Sequence, residues 1–337
     1  MRKLFVIFAY SLLLICLSSC GQQQGESDED TPKRLTIAVI PKGTTHVFWK
    51  SVHAGAVKAA QELNVEIIWK GPLKEDDRES QIKVVEDLIT SRVSGIVLAP
   101  LDDTALRPVV NDAVQNNIPV VIIDSGLKSD KQISFVATDN YEGGRKAGHH
   151  LAQLLDGKGK VVMLRYQEGS ASTMNREQGF LDSVKEYPDI EVVSSNQYGG
   201  ATTESAYTAS ENLLGPLRTS EGRLSVDGIF CPNESTVFGM LRALQDSGLA
   251  GKVTYVGFDS SEMLVKAVRN GEIHGLVLQD PIIMGYLGVK TMVHHLRGEQ
   301  VEKRIDTGSK VATPENMDDP VIKDLLEPDY QKWLKEK

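Results

Sequence analysis

The chain has 337 residues, enough for two ordinary domains. At 41% hydrophobic and 25% charged it is neither a disordered chain nor a polytopic membrane protein. Its 37 Lys and Arg against 46 Asp and Glu leave a net charge of −9, the wrong sign for a nucleic-acid partner, whose affinity comes from clustered cations.

Met1-Arg2-Lys3 opens the chain with positive charge, and an apolar stretch fills residues 4–17. That stretch is short for a bilayer-spanning helix, which needs about 20 residues, and suits a secretory signal. It ends in Leu17-Ser18-Ser19-Cys20, which resembles the lipobox of bacterial lipoproteins. Two small residues admit the chain to a peptidase, and the Cys20 thiol then accepts a lipid. The expectation is a leader at 1–20 and a lipid anchor at Cys20, placing the protein at a bacterial membrane, in the periplasm or on the cell surface. Residues 21–34 are polar, with acids gathered at Glu26–Asp30, and read as a flexible tether. With Cys16 lost and Cys20 lipidated, Cys231 is the remaining thiol, so neither an intrachain disulfide nor a thiolate metal cluster is expected. Cys231 ends an apolar run and reads as a small buried hydrophobe.

From Leu35, short β-branched runs alternate with helix-period segments. Residues 35–40 predict a strand. Residues 48–63 predict a helix with Phe48, Val52, Ala56, Ala59 and Leu63 on one face. A strand at 65–69, a helix at 78–91 and a strand at 95–99 follow. Asp102-Asp103-Thr104 reads as the cap of a helix reaching Asn116, ahead of strands at 118–124 and 133–138. The pattern restarts with a helix at 141–155. Gly157-Lys158-Gly159 turns into a strand at 160–164, then a helix at 173–185 and a strand at 190–194. A helix at 203–214, a strand at 226–231, a helix at 234–247 and a strand at 253–258 come next. A helix at 262–270, a strand at 273–279 and a helix at 281–296 complete the set. This alternation is the signature of parallel sheets covered on both faces. About ten strands are too many for one ordinary open sheet, so the fold class is α/β, with two similar doubly wound parallel-sheet lobes.

Ligands of open parallel sheets bind beyond the C-terminal strand ends. Those positions hold His46, Phe48 and Trp49, Asp124-Ser125, Arg176, Asn233, Phe258-Asp259 and Gln279. Planar hydrogen bonders beside aromatics suit a neutral polyol: hydroxyls need donors and acceptors, and a sugar ring's C–H face stacks on an aromatic one. Blander readings stand beside these. Phe48 also fits a helix core face, Asp124 and Asp259 could be helix N-caps, and Arg176 could be a solvated helix residue. The pairs His149-His150 and His294-His295 suggest metal ligands, but adjacent helical residues diverge by about 100°, so no metal site is expected. Asn233-Glu234-Ser235 matches a glycosylation sequon by chance, and the 157–159 turn precedes a strand, so it is no phosphate loop.

From about Leu35 to Asp306 the chain resembles the periplasmic sugar-binding proteins of the ribose type, which share their fold with the effector domains of the lactose-repressor family. The motifs that carry the resemblance are Ala137-Thr138-Asp139-Asn140 with Gly143-Gly144 and Ala147-Gly148, Arg176 with Gly179-Phe180, Asn233 with Gly239, Val256-Gly257-Phe258-Asp259, and Gln279-Asp280-Pro281 with Gly285. The resemblance implies a type I periplasmic binding protein with a multi-strand hinge. One lobe would be 35–138 plus 280–306, the other 139–279 plus 307–337. It implies stacking by Phe48 and Trp49, first-lobe hydrogen bonding by Asp124, and second-lobe contacts from Arg176, Asn233, Phe258, Asp259 and Gln279. Asp124 and Arg176 would sit at the mouth of the cleft. His46, Trp49 and Ser125 depart from the ribose binders, which usually carry Asn, Phe and Arg there. The implied protein is a monomeric, cofactor-free, non-enzymatic solute receptor. It would capture a pentose or hexose and deliver it to the permease subunits of an ABC importer. The alternative is a sensor module of the same fold that signals to a chemoreceptor or kinase. A transcription regulator is disfavoured because a leader stands where a DNA-binding domain would be. A glycosidase would need Asp124 and Asp259 as its acid pair.

Overall fold

The computed structural model describes residues 34–334. The leader, the Cys20 anchor and tether residues 21–33 lie outside the described residues. The first half lays down β1 (Thr36–Ile40), α1 (Val47–Leu63), β2 (Glu66–Trp69), α2 (Arg78–Thr90), β3 (Gly95–Leu98), α3 (Arg107–Gln115), β4 (Val120–Ile123) and β5 (Ser134–Ala137). The second begins with α4 (Asn140–Leu154), β6 (Lys158–Arg165), α5 (Ala171–Val184), β7 (Asp189–Tyr198) and α6 (Thr203–Leu214). It continues through β8 (Gly228–Phe230), α7 (Glu234–Asp246), β9 (Thr254–Phe258), α8 (Glu262–Arg269) and β10 (Gly275–Leu278). Then come α9 (Pro281–Leu296), β11 (Arg304–Asp306), β12 (Lys310–Ala312), α10 (Pro320–Leu326) and α11 (Gln331–Leu334).

These strands form two six-stranded sheets of matching order, β2-β1-β3-β4-β5-β11 and β7-β6-β8-β9-β10-β12. Every pairing is parallel except β10 with β12. The reason is legible in β3 and β4, whose runs Gly-Ile-Val-Leu and Val-Val-Ile-Ile are buried throughout. Strands so apolar on both faces need helices on both faces, which only crossover connections supply. In β1, Ile37 and Val39 join one core cluster while Ala38 and Ile40 join the other. The second sheet divides two further clusters in the same way. Glycines let the flanking helices approach closely. A Cβ at Gly55 of α1 or Gly285 of α9 would collide with the other helix's backbone, and so would one at Gly144 of α4 or Gly179 of α5. Cys231 is buried, and burial pushes its thiol up to about 12.

Several expectations are corrected. The helix expected from Asp102 starts at Arg107, because the Asp102 carboxylate accepts from the N–H groups of Thr104 and Ala105 and closes a turn first. Only Gly157 belongs to the expected 157–159 turn; Lys158 already pairs with Asp189 of β7. The strands β11 and β12 and the helices α10 and α11 were not foreseen. The chain passes between the sheets after β5, after β10 and between β11 and β12. The tail expected wholly in the second half divides, with β12 in the sheet of that half. Ile322 and Leu326 of α10 pack in its core, but the Trp333 ring of α11 lies 5.7 Å from Lys58 Nζ of α1, in the first half.

Candidate functional site

The C-terminal strand ends of both sheets meet across a narrow cavity lined by residues of both halves. Its first-half wall begins just after β1. Lys42 is buried, with Nζ 2.8 Å from Asp124 Oδ2. Asp124 leaves β4 with a left-handed backbone, φ 60°. His46 holds the N-cap position of α1 without capping it. Its Nδ1 instead lies 2.7 Å from Glu75 Oε1, which also accepts from Trp49 Nε1 at 2.6 Å. Burial would pull the His46 imidazole down, but the charge and hydrogen bond of Glu75 outweigh it and hold it up to about 9. Burial would raise Glu75, yet His46, Lys42 and Trp49 bring it down to about 2. Both groups are therefore charged at neutral pH. Phe48 packs edge-on against Trp49, and both rings line the cavity.

The second-half wall is a hydrogen-bonded network. Arg176 of α5 is buried; Nε donates to Asn140 Oδ1 at 2.7 Å and Nη1 to the Pro232 carbonyl at 3.0 Å. Its guanidinium stacks 3.9 Å from the Phe258 ring centre, and Nη1 lies 3.6 Å from Asp259 Oδ2. Asp259 leaves β9 with φ 70° and accepts from Gln279 Nε2 at 2.7 Å and the Glu234 N–H at 3.2 Å. Burial pushes the Asp259 carboxyl up despite Arg176. Asn233 caps α7 through Thr236 while its side chain faces the cavity. Gln279 Oε1 and Glu234 Oε2 are buried without hydrogen-bond partners, so both are suited to bonding a ligand hydroxyl.

The halves touch directly around this cavity. Lys42 Nζ donates to Ser172 Oγ at 2.9 Å, Tyr166 Oη donates to Glu75 Oε2 at 2.7 Å, and the Ser172 N–H donates to Ser125 Oγ at 3.1 Å. Tyr166 is fixed from behind, its N–H donating to the buried Glu177. The cleft is closed.

Of the residues read from the sequence, His46, Phe48, Trp49, Asp124, Arg176, Asn233, Asp259 and Gln279 meet on the wall. Ser125 and Phe258 stand behind it, Ser125 bridging the halves and Phe258 supporting Arg176. Arg176 is neither solvated nor at the mouth; its partners Asn140, Pro232 and Phe258 anchor it within its own half. Neither Asp124 nor Asp259 caps the helix that follows it. Lys42, Glu75, Tyr166, Ser172, Thr173 and Glu234 complete the lining and were missed. Lys42, Glu75 and Tyr166 all follow strand ends, so the rule that found the others could have found them. His149 is partly buried, bonded to Tyr187 at 3.1 Å, while His150 faces the His274 carbonyl at 3.1 Å, so the two rings diverge.

Comparisons with known proteins point the same way. A family model described as a periplasmic binding protein domain matches residues 37–300. The ribose import binding protein RbsB of Haemophilus influenzae is 30% identical over 311 residues, covering 92% of this chain and 99% of that protein. A carbohydrate transporter solute-binding protein from Agrobacterium radiobacter, solved in complex with D-arabinose, superposes with a TM-score of 0.82 at 34% identity, covering 88% of this chain and 100% of that one. An ABC transporter solute-binding protein from Agrobacterium vitis with bound D-fucose gives 0.81 at 35% identity, covering 86% of this chain and 99% of that one.

Proposed function

Because the chain belongs to the periplasmic binding protein family, we propose that it captures a neutral monosaccharide, a pentose or hexose, between its two halves and presents it to an ABC importer. The observation that carries this reading is the cavity itself: three aromatic rings, three cation–carboxylate pairs and the buried, unbonded Gln279 Oε1 and Glu234 Oε2, contributed by both halves. A sugar hydroxyl both donates and accepts, so it can satisfy Gln279 Oε1 and Glu234 Oε2 together with the charged groups beside them. The named relatives take ribose, arabinose and fucose, all uncharged sugars. Binding couples to closure because a ligand touching both walls favours the state in which they meet.

We further infer that the sugar leaves unchanged, since the relatives are binding proteins for transport. The leader and Leu17-Ser18-Ser19-Cys20 support an extracytoplasmic lipoprotein held to the membrane at Cys20. The permease would receive the sugar from the closed form. A thermal-shift screen of pentoses, hexoses, 6-deoxy sugars and polyols tests the capture. A sugar at 100 times its Kd should raise stability by about 2.7 kcal/mol. A screen in which no neutral sugar raises the melting temperature would overturn the reading. Mass spectrometry of the membrane-extracted protein tests the anchor, which requires an acyl-modified Cys20 that Cys20→Ser removes.

A further inference from the structure

Charge pairing in the cleft leaves one acid over. Glu75 faces His46 at 2.7 Å, Asp124 faces Lys42 at 2.8 Å and Asp259 faces Arg176 at 3.6 Å. Glu234, the first residue of α7, lines the same cavity with no ion pair among the described residues. Its surroundings come from both halves. His46 and the Phe48 amide approach from the start of α1, Glu75 from the loop after β2, and Asp259 from the end of β9. Helix α1 has no capping side chain and no acid in its first turn, so its free amides give this corner some positive potential. That draws the Glu234 side chain in without supplying a full countercharge. Its Oε2 is then buried with nothing to bond.

Resting on the monosaccharide reading, we propose that Glu234 is a specificity-determining residue that contacts the ligand as a neutral carboxylic acid. Its Oε2–H donates to a sugar hydroxyl, and closure on a neutral sugar takes up one proton. Ionised, Glu234 would be a buried carboxylate without an ion pair, which a neutral ligand cannot offset. Burial, with Asp259 and Glu75 adding repulsion, outweighs His46 and the Phe48 amide and raises Glu234 to about 7. In an open, hydrated cleft the group returns toward an ordinary carboxyl near 4.3 and is ionised at neutral pH. The sign follows. The contribution to closure is complete below the ordinary carboxyl pKa and is lost as pH rises to about 7. His46 and Glu75, held near 9 and near 2 in the closed cleft, both stay charged between pH 5.5 and 8 there, and Glu234→Gln separates any part of the slope that belongs to them.

Calorimetric Kd values for the best neutral sugar of the screen, taken near pH 5.5 and pH 8, test this. The wild type should weaken by about 30-fold over that interval, and heats in two buffers of different ionisation enthalpy should show about one proton taken up near pH 6. Glu234→Gln, whose amide donates at every pH, should lose both the slope and the proton uptake, whatever its absolute affinity. Glu234→Ala should bind more weakly than wild type at the lower pH. A wild type that binds equally at both pH values, or a Glu234→Gln that keeps the full slope, would overturn this inference and leave sugar capture standing. A wild type that binds no neutral sugar at either pH would overturn both.

Discussion

Asp124 and Asp259 stand at matching places, one beyond β4 and the other beyond β9, each the fourth strand of its sheet. Both carry a left-handed backbone, at φ 60° and 70°, a conformation that costs a residue other than glycine about 1–3 kcal/mol. The same strain at the same place in both halves points to one requirement, a carboxylate turned into the cleft. Their partners differ. Asp124 meets Lys42, whose other bonds reach across to Ser170 and Ser172, so the first wall depends on closure to complete its pairing. Asp259 meets Arg176, which is already held by Asn140, Pro232 and Phe258 of its own half. The Arg176–Asp259 pair is completed within its own half, whereas the Lys42–Asp124 pair takes further partners from the other.

That difference predicts unequal consequences for fold and binding. Arg176→Ala should have the largest effect. It strands Asp259 and removes donors to Asn140 and Pro232, so the ligand-free protein should lose about 3–5 kcal/mol by denaturant titration, and sugar affinity should collapse. Asp124→Asn keeps a residue that tolerates left-handed backbone and removes only the charge. It should cost about 2–4 kcal/mol of binding, roughly 30- to 1000-fold, by calorimetry, with a much smaller loss of ligand-free stability. Equal destabilisation by the two variants would erase the distinction.

The first wall has its own anchor in Glu75, and pH exposes it. A carboxylate held down at about 2 contributes stability in full above its ordinary pKa, and loses it as pH falls toward about 2. Denaturation midpoints at pH 7 and pH 3 should differ less in Glu75→Gln than in the wild type, by an amount on the order of 2–3 kcal/mol. The smallest effect belongs to His149→Ala. His149 bonds to Tyr187 and Arg145 on α4, away from the cleft, so sugar affinity should be unchanged and stability should fall by about 1 kcal/mol or less.

In both halves the fold was easier to read from the sequence than the full lining of the site. Uninterrupted runs such as Val120–Ile123 declare buried parallel strands without help from context. The short strands Arg-Ile-Asp of β11 and Lys-Val-Ala of β12 carry no such run and owe their existence to a sheet edge already in place. The aromatics and amides of the site were legible because they follow strand ends. Lys42 and Glu75 follow strand ends too, so position alone could have found them, but position does not say which charged residue ends up buried. Only partners brought from other strand ends make its burial tolerable, and those partners are fixed by topology, not by spacing. Arg176 was read as a site residue but placed at the cleft mouth; the polar run Asn175-Arg176-Glu177 gives no sign of the burial that follows once α5 packs against α4.

Amide hydrogen exchange with and without the best sugar of the screen tests most directly whether the ligand is held by both halves at once. The account predicts slowed exchange on adding sugar in two separate groups of amides: those near residues 42–49 and 124–125 of the first half, and those near 172–176, 233–234 and 259 of the second. Protection confined to one half, or spread over neither group while the sugar is bound, would contradict capture between the two walls.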